Sequence, residues 1–394
     1  MKNAESIEDL ASEKEVLKYL SKEDMADISD TLRHFYPNLS VHESLSSLAY
    51  NNMPKIEIEG YTLQRSRFKN CHLVDPSGIV RAHGIEKVFA NTIYRKALEN
   101  EYLSRISNKE YGLVFAGGAA RGAYEIGVWK YLRDIGLEDK ITGIAGNSVG
   151  ALNSLLFLQG DLDKAIDIWN NVTKNDLLQF SGASSDEDRK SRNKRTHDNK
   201  NWNEKMNSFI DDLRKNVSIK VADNNVLQLI DKSIYDWDSI LNPQGKITYI
   251  CKSMRAWISF INHNGKFDPE WNRPIYEPLI YLTREQLEAE VLASASMPII
   301  YKKQSINNTS FVDGSLTDNV PYMPLVKAGY KKIIVVHLDT KNRSPLNLEP
   351  KGDSMLYHIY PSDSLHSILR ISKVLTKGRM DLGYNDAKNI LRKF

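Results

Sequence analysis

Residues 141–157 of the chain read ITGIAGNSVGALNSLLF, and this stretch decides the fold. Residues 141–145 are short and apolar, which predicts a strand, and the longer apolar run from Val149 to Phe157 predicts a helix. Between them lies a Gly-x-Ser-x-Gly turn, Gly146-Asn147-Ser148-Val149-Gly150. A strand–turn–helix context of this kind lifts the central side chain above the end of the strand. We therefore predict that Ser148 is a nucleophile, with Gly146, Asn147 and Gly150 forming the elbow.

Strands and helices alternate on both sides of this turn. We predict strands at Tyr111–Phe115, Ile141–Ala145, Lys246–Ile250 and Lys332–Val336, and helices at Ala123–Leu132 and Val149–Phe157. Alternation of this kind favours an α/β fold with a central, mostly parallel sheet between layers of helices.

The predicted core is flanked by two other parts. We place an N-terminal, mainly helical extension at 1–107, the core at 108–340, and a helical C-terminal segment at 341–394. Within these parts we expect helices at Ser6–Leu20, Ser21–Tyr36 and Ile85–Tyr102, a small hairpin near Lys55–Val80, a charged insertion at 181–205, and a helical tail at Asp363–Phe394. The sequence of residues 1–107 does not indicate a role.

Composition excludes several classes of protein. The net charge is +3, from 53 Lys and Arg against 50 Asp and Glu, which does not suit a nucleic-acid partner. Cys71 and Cys251 are the two cysteines, too few for a disulfide framework or a metal cluster. The chain has no apolar run long enough to span a bilayer and no secretory leader. We expect a cytoplasmic protein, with non-classical export left open.

A second glycine-rich segment precedes the elbow. It comprises Gly117, Gly118, Ala119, Ala120, Arg121 and Gly122, directly after the strand Tyr111–Phe115. Such a loop exposes backbone N–H groups that suit an oxyanion hole. The spacing does not match a dinucleotide fingerprint or a phosphate-binding P-loop.

Together with Asp313-Gly314, these two glycine segments resemble the patatin-like phospholipase family over roughly residues 109–340. Ala293–Pro298 and Asn319-Val320-Pro321 add to the resemblance. It implies a patatin-like three-layer fold and a Ser148–Asp313 dyad that releases fatty acid from lipids through an acyl-enzyme, in the manner of a phospholipase A or lysophospholipase. It implies no cofactor, metal or catalytic histidine.

Two positions depart from the pattern of that family. Ala119 stands where a third glycine is more common, and it adds a methyl group to the predicted oxyanion loop. Ser315 follows Asp313-Gly314 where glycine or alanine is more usual. Neither departure removes a reacting group.

Several alternatives stay open at this stage. Ser148 alone suits a helix N-cap and Asp313 alone suits a turn, and His337, His358 or His366 would serve as base in a Ser-His-Asp enzyme. The same dyad would also suit an acyltransferase or thioesterase, or an effector that a protein or small-molecule activator switches on. A carbohydrate or peptide hydrolase has less support.

Two regions suit a lipid partner as well as ordinary packing. Aromatic residues concentrate between Trp257 and Tyr281. The C-terminal segment carries an apolar stripe beside the basic residues Arg370, Lys373, Lys377, Arg379, Lys388, Arg392 and Lys393. We therefore expect an acyl-lipid substrate, such as a phospholipid, and transient, peripheral contact with a membrane.

Overall fold

A computed structural model describes the chain at residues 55–58, 61–65, 71–74, 80–83, 96, 98–173, 224–254, 274–297, 304–306, 309–341, 352–368 and 370–392. The two N-terminal helices and the charged insertion that we predict from the sequence lie outside these residues. The chain divides into two compact units. One comprises residues 1–107 with 305–309, and the other comprises 108–304 with 310–394.

The first unit contains an antiparallel sheet in its described part. Its strands β1 (Lys55–Ile58), β2 (Tyr61–Arg65), β3 (Cys71–Val74) and β4 (Val80–His83) pair in chain order. The alternating segment at 55–63 therefore covers β1 and the start of β2, which pair with each other, and the predicted hairpin is the pair β3 and β4. Helix α1 (residues 98–105) is the described part of the helix predicted at 85–102.

The second unit is built on a larger sheet. Its strands are β5 (Tyr111–Phe115), β6 (Ile141–Gly146), β7 (Ile247–Met254), β8 (Pro274–Pro278), β10 (Thr309–Asp313), β11 (Lys332–Val336) and β12 (Met355–Ile359), while β9 is the short strand Gln304–Ile306. The order β12-β11-β5-β6-β7 is parallel throughout. All of β5 and most of β11 are buried, as expected for strands covered on both faces. The α/β class and the mostly parallel sheet are confirmed.

Helices accompany this sheet. They are α2 (Ala123–Asp134), α3 (Val149–Gln159), α4 (Leu162–Asn171), α5 (Asn224–Ser233), α6 (Trp237–Leu241), α7 (Arg284–Ser294), α8 (Met323–Lys327) and α9 (Lys373–Ile390). Every residue of α3 except Gln159 is buried, so this helix lies inside the core rather than on its surface. The residue that precedes α3 is Ser148.

The register of β7 brings two other strands together. Strand β8 pairs with Tyr249–Ser253 of β7, β6 pairs with Ile247–Ile250, and β10 pairs with Ser253 and its two neighbours. Because β8 overlaps both partners, β6 and β10 must share the opposite edge of β7. They approach from opposite ends. Gly146 of β6 faces Ile250 and Asp313 of β10 faces Lys252, so the two strand ends lie about 7 Å apart along β7.

Helices α2 and α9 pack closely where each carries a glycine. A Cβ added at Gly127 would collide with the backbone of Met380, and one added at Gly383 would collide with the carbonyl oxygen of Tyr124. The packing brings the Tyr124 hydroxyl to Asp386, to which it donates a hydrogen bond at 2.9 Å. The C-terminal helix is therefore part of the core of this unit.

The C-terminal segment is less helical than the sequence predicts. Residues 363–368, 370 and 371 are irregular, and helix α9 begins only after Ser372, whose hydroxyl accepts the N–H of Leu375. Arg379 explains the irregular backbone, because its guanidinium binds the carbonyl groups of Leu365, Ser367 and Arg370, which are then not available to a helix. Strand β12, at the edge of the sheet, is an element that the sequence analysis does not predict.

Close packing of α2 and α9 predicts opposite effects for two glycines of the same helix. Gly383→Ala should lower the free energy of unfolding by about 1–3 kcal/mol, because the new methyl group forces the helices apart. Gly378→Ala is the matched control. Nothing lies within 4 Å of its Cβ position, so the substitution should be neutral or stabilise by up to about 1 kcal/mol. Urea unfolding of both variants measures this, and equal effects would contradict the packing argument.

Candidate active site

The turn at Ser148 is strained and tightly packed. Ser148 has φ +53°, which is rare for a residue with a side chain, and it is the one elbow residue that is not buried. A Cβ at Gly146 would collide with the carbonyl of Gly150, and a Cβ at Gly150 would collide with the carbonyl of Phe115. Both glycines are therefore required sterically, and together they hold the Ser148 side chain outward above the end of β6.

The small-residue stretch at the C-terminal end of α7 anchors the backbones of both predicted catalytic residues. Ser294 Oγ accepts the N–H of Ser148 at 3.1 Å, and the carbonyl oxygen of Ser296 accepts the N–H of Asp313 at 2.9 Å. Ser294 and Ser296 are completely buried. Residues 294–296 therefore bind the backbone of both Ser148 and Asp313, although 165 positions in the sequence separate these two residues.

The Asp313 carboxyl is buried beside the elbow. Its Oδ1 accepts the N–H of Ser315 at 2.8 Å, while Oδ2 receives no hydrogen bond of ordinary geometry from any described group. Burial raises the pKa of this carboxyl, and the side chains of Ser315, Ser148 and Asn147 partly offset the rise. The Ser148 hydroxyl is thus a neighbour of the carboxyl. Such hydrogen bonds are often poorly aligned until a substrate is bound.

Asn319 links three segments of the site. Its Oδ1 accepts a hydrogen bond from Asn147 of the elbow at 3.1 Å, and its Nδ2 donates to the carbonyl oxygen of Gly117 at 3.1 Å. Its own carbonyl oxygen accepts the Gly117 N–H at 3.1 Å. A Cβ at Gly117 would collide with the Asn319 side chain, so this position also requires glycine.

The glycine-rich loop leaves two of its N–H groups without a protein acceptor. The N–H groups of Gly117, Ala120 and Arg121 donate to backbone carbonyls, whereas those of Gly118 and Ala119 have no acceptor among the described residues. Gly118 and Ala119 are also partly exposed, while Gly117, Ala120 and Gly122 are buried. Two adjacent, accessible N–H groups of this kind suit the binding of a negatively charged oxygen.

Two arginines fix this loop to the C-terminal part of the unit. Arg121 donates to the carbonyl oxygens of His366 and Leu338 and forms an ion pair with Asp339 at 2.7 Å. Arg379 is 3% exposed and donates to the carbonyl oxygen of Ala120 at 2.6 Å, in addition to its contacts with 365–370. Burial and the nearby arginines lower the pKa of Arg379 to about 10. Arg379 is therefore buried, so it is not available for the membrane contact that the sequence suggests for the basic residues of the C-terminal segment.

A buried polar network lies beside the same loop and ties it to α3. Asn153 of α3 donates to the Glu125 carboxyl at 2.7 Å and to the Gly122 carbonyl oxygen at 2.9 Å, and accepts the indole N–H of Trp169. Burial raises the pKa of Glu125 well above its usual range, and hydrogen bonds from Asn153 and the Ala116 N–H partly offset this. The network fixes both ends of the loop relative to the helix that begins after Ser148.

The histidines considered from the sequence have other partners. His337 is buried, shares a hydrogen bond of 3.0 Å with His358, and stacks on Tyr360. Burial lowers the pKa of His337 to about 3. His366 is exposed and has φ +61°, with its carbonyl oxygen bound by Arg121. No contact of these histidines with Ser148 or Asp313 occurs in the described part of the chain.

Among the described residues, no cluster of three or more His, Cys, Asp and Glu side chains is arranged to bind a metal ion. In the same residues, no helix combines the length and apolar character that crossing a bilayer requires.

The order of these segments matches a known family. The model of the patatin-like phospholipase family matches residues 113–326, which is more than half of the 394 residues. The chain belongs to the patatin-like phospholipase family. The resemblance stated from the glycine segments and Asp313 is confirmed, and the matched range contains the elbow, the glycine-rich loop and Asp313.

Solved structures that align with the chain include bacterial proteins of low sequence identity. VipD from Legionella pneumophila aligns with a TM-score of 0.41 and 11% identity, over 84% of this chain and 69% of VipD. ExoU in complex with SpcU, from the type III secretion system of Pseudomonas aeruginosa, aligns with a TM-score of 0.37 and 12% identity, over 73% of this chain and 53% of that chain. No curated protein sequence matches the chain at a significant level.

Sequence reasoning identified the patatin-like segments but missed the residues that connect them. Ser294 and Asn319 lie in stretches that the sequence links to the site only through the family resemblance, and no local pattern marks Glu125. Their contacts with the site span 146, 172 and 28 positions of sequence. The local sequence pattern carries no information about such long-range contacts. The run of small residues at 293–296 is nevertheless a signal that another segment packs closely there.

The conformation of Ala119 predicts an asymmetry between two neighbouring alanines of this patatin-like loop. Ala119 has φ +46°, which costs a residue with a Cβ about 1–2 kcal/mol and costs glycine nothing. Ala119→Gly should therefore leave the free energy of unfolding unchanged or raise it by up to about 1 kcal/mol. The buried neighbour gives the control, because Ala120→Gly should lower it by about 1 kcal/mol. Chemical denaturation of the two variants tests this, and equal losses would contradict it.

Proposed function

We propose that this protein is a lipid acyl hydrolase of the phospholipase A or lysophospholipase type, acting through a Ser148–Asp313 dyad. Membership of the patatin-like phospholipase family implies hydrolase activity. The observation that carries the finer proposal is the neighbourhood of the partly exposed Ser148. The Asp313 carboxyl is buried and close enough for the Ser148 side chain to lower its pKa, and α3, which begins directly after Ser148, binds the glycine-rich loop through Asn153. The reaction needs no cofactor, and water is its second substrate.

The proposed reaction has two steps. Asp313 accepts the Ser148 proton while Oγ attacks the acyl carbonyl carbon, and the carbonyl oxygen becomes negatively charged. The N–H groups of Gly118 and Ala119 bind that oxygen. When the ester C–O bond breaks, the leaving alcohol takes the proton from Asp313 and the acyl group remains on Ser148. Water, deprotonated by Asp313, then attacks the acyl carbon. The bond from that carbon to Ser148 Oγ breaks, Oγ takes the proton back from Asp313, and the fatty acid is released.

The environment of Asp313 suits it to this role. A carboxylate is ordinarily a weak base, but burial raises the pKa of Asp313 and brings it closer to neutral pH. A dyad without imidazole depends strongly on stabilisation of the oxyanion. The fixation of the glycine-rich loop by Arg379, Asn319 and the Asn153 network supports such pre-organisation.

The substrate that fits this proposal is a phospholipid or another acyl lipid, met transiently at a membrane surface. Nucleic acid is not an expected partner, because the net charge is only +3. The proposed setting is cytoplasmic, with peripheral attachment to the bilayer. Adding an alcohol acceptor to the assay and analysing the products distinguishes hydrolysis from acyl transfer.

The dyad predicts a large loss of activity from either of two small changes. Ser148→Ala removes the nucleophile and Asp313→Asn removes the base while keeping an oxygen for the Ser315 N–H. Each should lower kcat for fatty-acid release by about a thousandfold or more. Mass spectrometry of a phospholipid and lysophospholipid panel measures release, and circular dichroism verifies folding.

A second, half-buried aspartate provides the matched control. Asp318 binds the Tyr276 hydroxyl at 2.6 Å and the Val320 N–H at 2.9 Å, and burial raises its pKa as well. Asp318→Asn should retain kcat within about tenfold, since it removes no reacting group. Equal loss in the Asp313 and Asp318 variants would reject the assignment of the base, and activity retained by folded Ser148→Ala would reject the nucleophile.

The Ser315 departure from the family pattern predicts a shift in pH dependence. Activity requires the ionised carboxylate, so it should fall as pH drops through the pKa of Asp313. The Ser315 side chain lowers that pKa, hence Ser315→Ala should raise it and move the acidic limb of kcat/KM to higher pH. The acidic limb is measured with a soluble short-chain ester.

Ser296→Ala is the control for this shift. It removes a hydroxyl that donates to the Leu292 carbonyl oxygen, so the acidic limb should stay at the same pH. A limb that stays or moves to lower pH in Ser315→Ala contradicts the assignment.

A further inference from the structure

The start of helix α9 presents an exposed basic and apolar patch, formed by Arg370, Lys373, Val374 and Lys377. Val374 is 83% exposed, the highest value among the large hydrophobic residues that the structure describes. The three cations around it are also exposed, and none of them forms an ion pair with a described acid. Ile371 and Leu375 are half-buried beside it.

The middle of the helix differs from this first turn. Beyond Lys377 the next exposed charged residue is Asp381. Exposed basic residues occur again only at Lys388 and Arg392, at the far end of the helix. Cations and an exposed apolar side chain therefore also occur there, with Ile390 at 42% exposure. The far end provides an internal comparison for the first turn.

The patch belongs to the segment that holds the glycine-rich loop. The N–H of Ala120 donates to the carbonyl oxygen of Ile368 at 3.0 Å, just before the patch. Arg379, half a turn beyond Lys377, donates to the carbonyl oxygen of Ala120 and to that of Arg370. A surface bound at this turn would therefore lie against the same backbone that positions Gly118 and Ala119.

We propose that this patch is the surface through which the protein docks on an anionic phospholipid bilayer. The inference rests on the proposed function, since a lipid hydrolase must meet its substrate at such an interface. Charge complementarity favours lipid over protein, because each cation near an anionic leaflet strengthens binding by about fivefold. One exposed valine is far too small an apolar core for a stable protein interface of about 800 Å² per partner, but it suits shallow insertion among acyl chains.

The test measures binding rather than catalysis. Flotation with vesicles of phosphatidylcholine and phosphatidylglycerol, and with pure phosphatidylcholine, is carried out on the full chain bearing Ser148→Ala, so that the vesicles stay intact. We expect binding to the anionic vesicles that falls as salt rises. Adding Lys373→Glu and Lys377→Glu should lower the partition coefficient at least about tenfold.

Matched variants at the far end of α9 control for net charge and apolar area. Lys388→Glu with Arg392→Glu makes the same change in charge and should keep binding within about twofold. Val374→Ser should weaken binding more than Ile390→Ser. Equal losses at both ends, or a parent chain that binds neither vesicle, or binds both equally, would overturn the proposal.

A soluble ester separates this proposal from the proposed function. With Ser148 intact, the Lys373→Glu, Lys377→Glu chain should hydrolyse a monomeric short-chain ester within about twofold of wild type, since docking is not needed. If Ser148→Ala retains ester hydrolysis, the dyad fails while the vesicle result stands. If the patch variants lose ester hydrolysis together with vesicle binding, their effect is on folding or on the loop and the docking surface is rejected.

Discussion

The geometry of the candidate site depends on one strand that is longer than its neighbours. Strand β7 pairs with β6 along its first half and with β10 along its second half, on the same edge. The elbow after β6 and the turn after β10 are therefore forced to meet. No side-chain contact is needed to bring Ser148 and Asp313 into the same region, because the backbone register of the sheet already does so.

Side-chain and backbone contacts then fix the positions of these two turns relative to each other. Ser148 is held at a strained φ of +53°, which persists only if the surroundings determine it more strongly than local preference does. The glycines of the elbow allow backbone approaches that any Cβ would block, and Ser294 satisfies the Ser148 N–H. The hydrogen bonds of Asn319 then join the elbow to the glycine-rich loop. Strain at one residue is thus supported by contacts from three separate segments.

The sequence predicted what depends on local pattern and missed what depends on long-range contact. The strands at 111–115 and 332–336 agree with the structure to the residue, because continuous apolar runs bounded by polar residues are a local signal. Strand β12 was missed because an exposed edge strand lacks that signal. The sequence grouped Arg379 with the basic surface residues. Its burial follows from carbonyl groups that only the folded chain presents to it.

The glycine-rich loop shows why residues 341–394 belong to the same unit as the site. The Ala120 carbonyl oxygen is bound by Arg379 across 259 positions of sequence, and Gly383 allows α9 to lie against α2, which begins directly after the loop. Burying a guanidinium that has no carboxylate partner among the described residues costs desolvation free energy. The hydrogen bonds that Arg379 donates to backbone carbonyl oxygens offset this cost and hold that backbone in place. The loop therefore takes its conformation from the C-terminal helix as well as from its own glycines. A chain cut near residue 340 would keep Ser148 and Asp313 but lose the hydrogen bond from Arg379 that holds the Ala120 carbonyl oxygen of the loop.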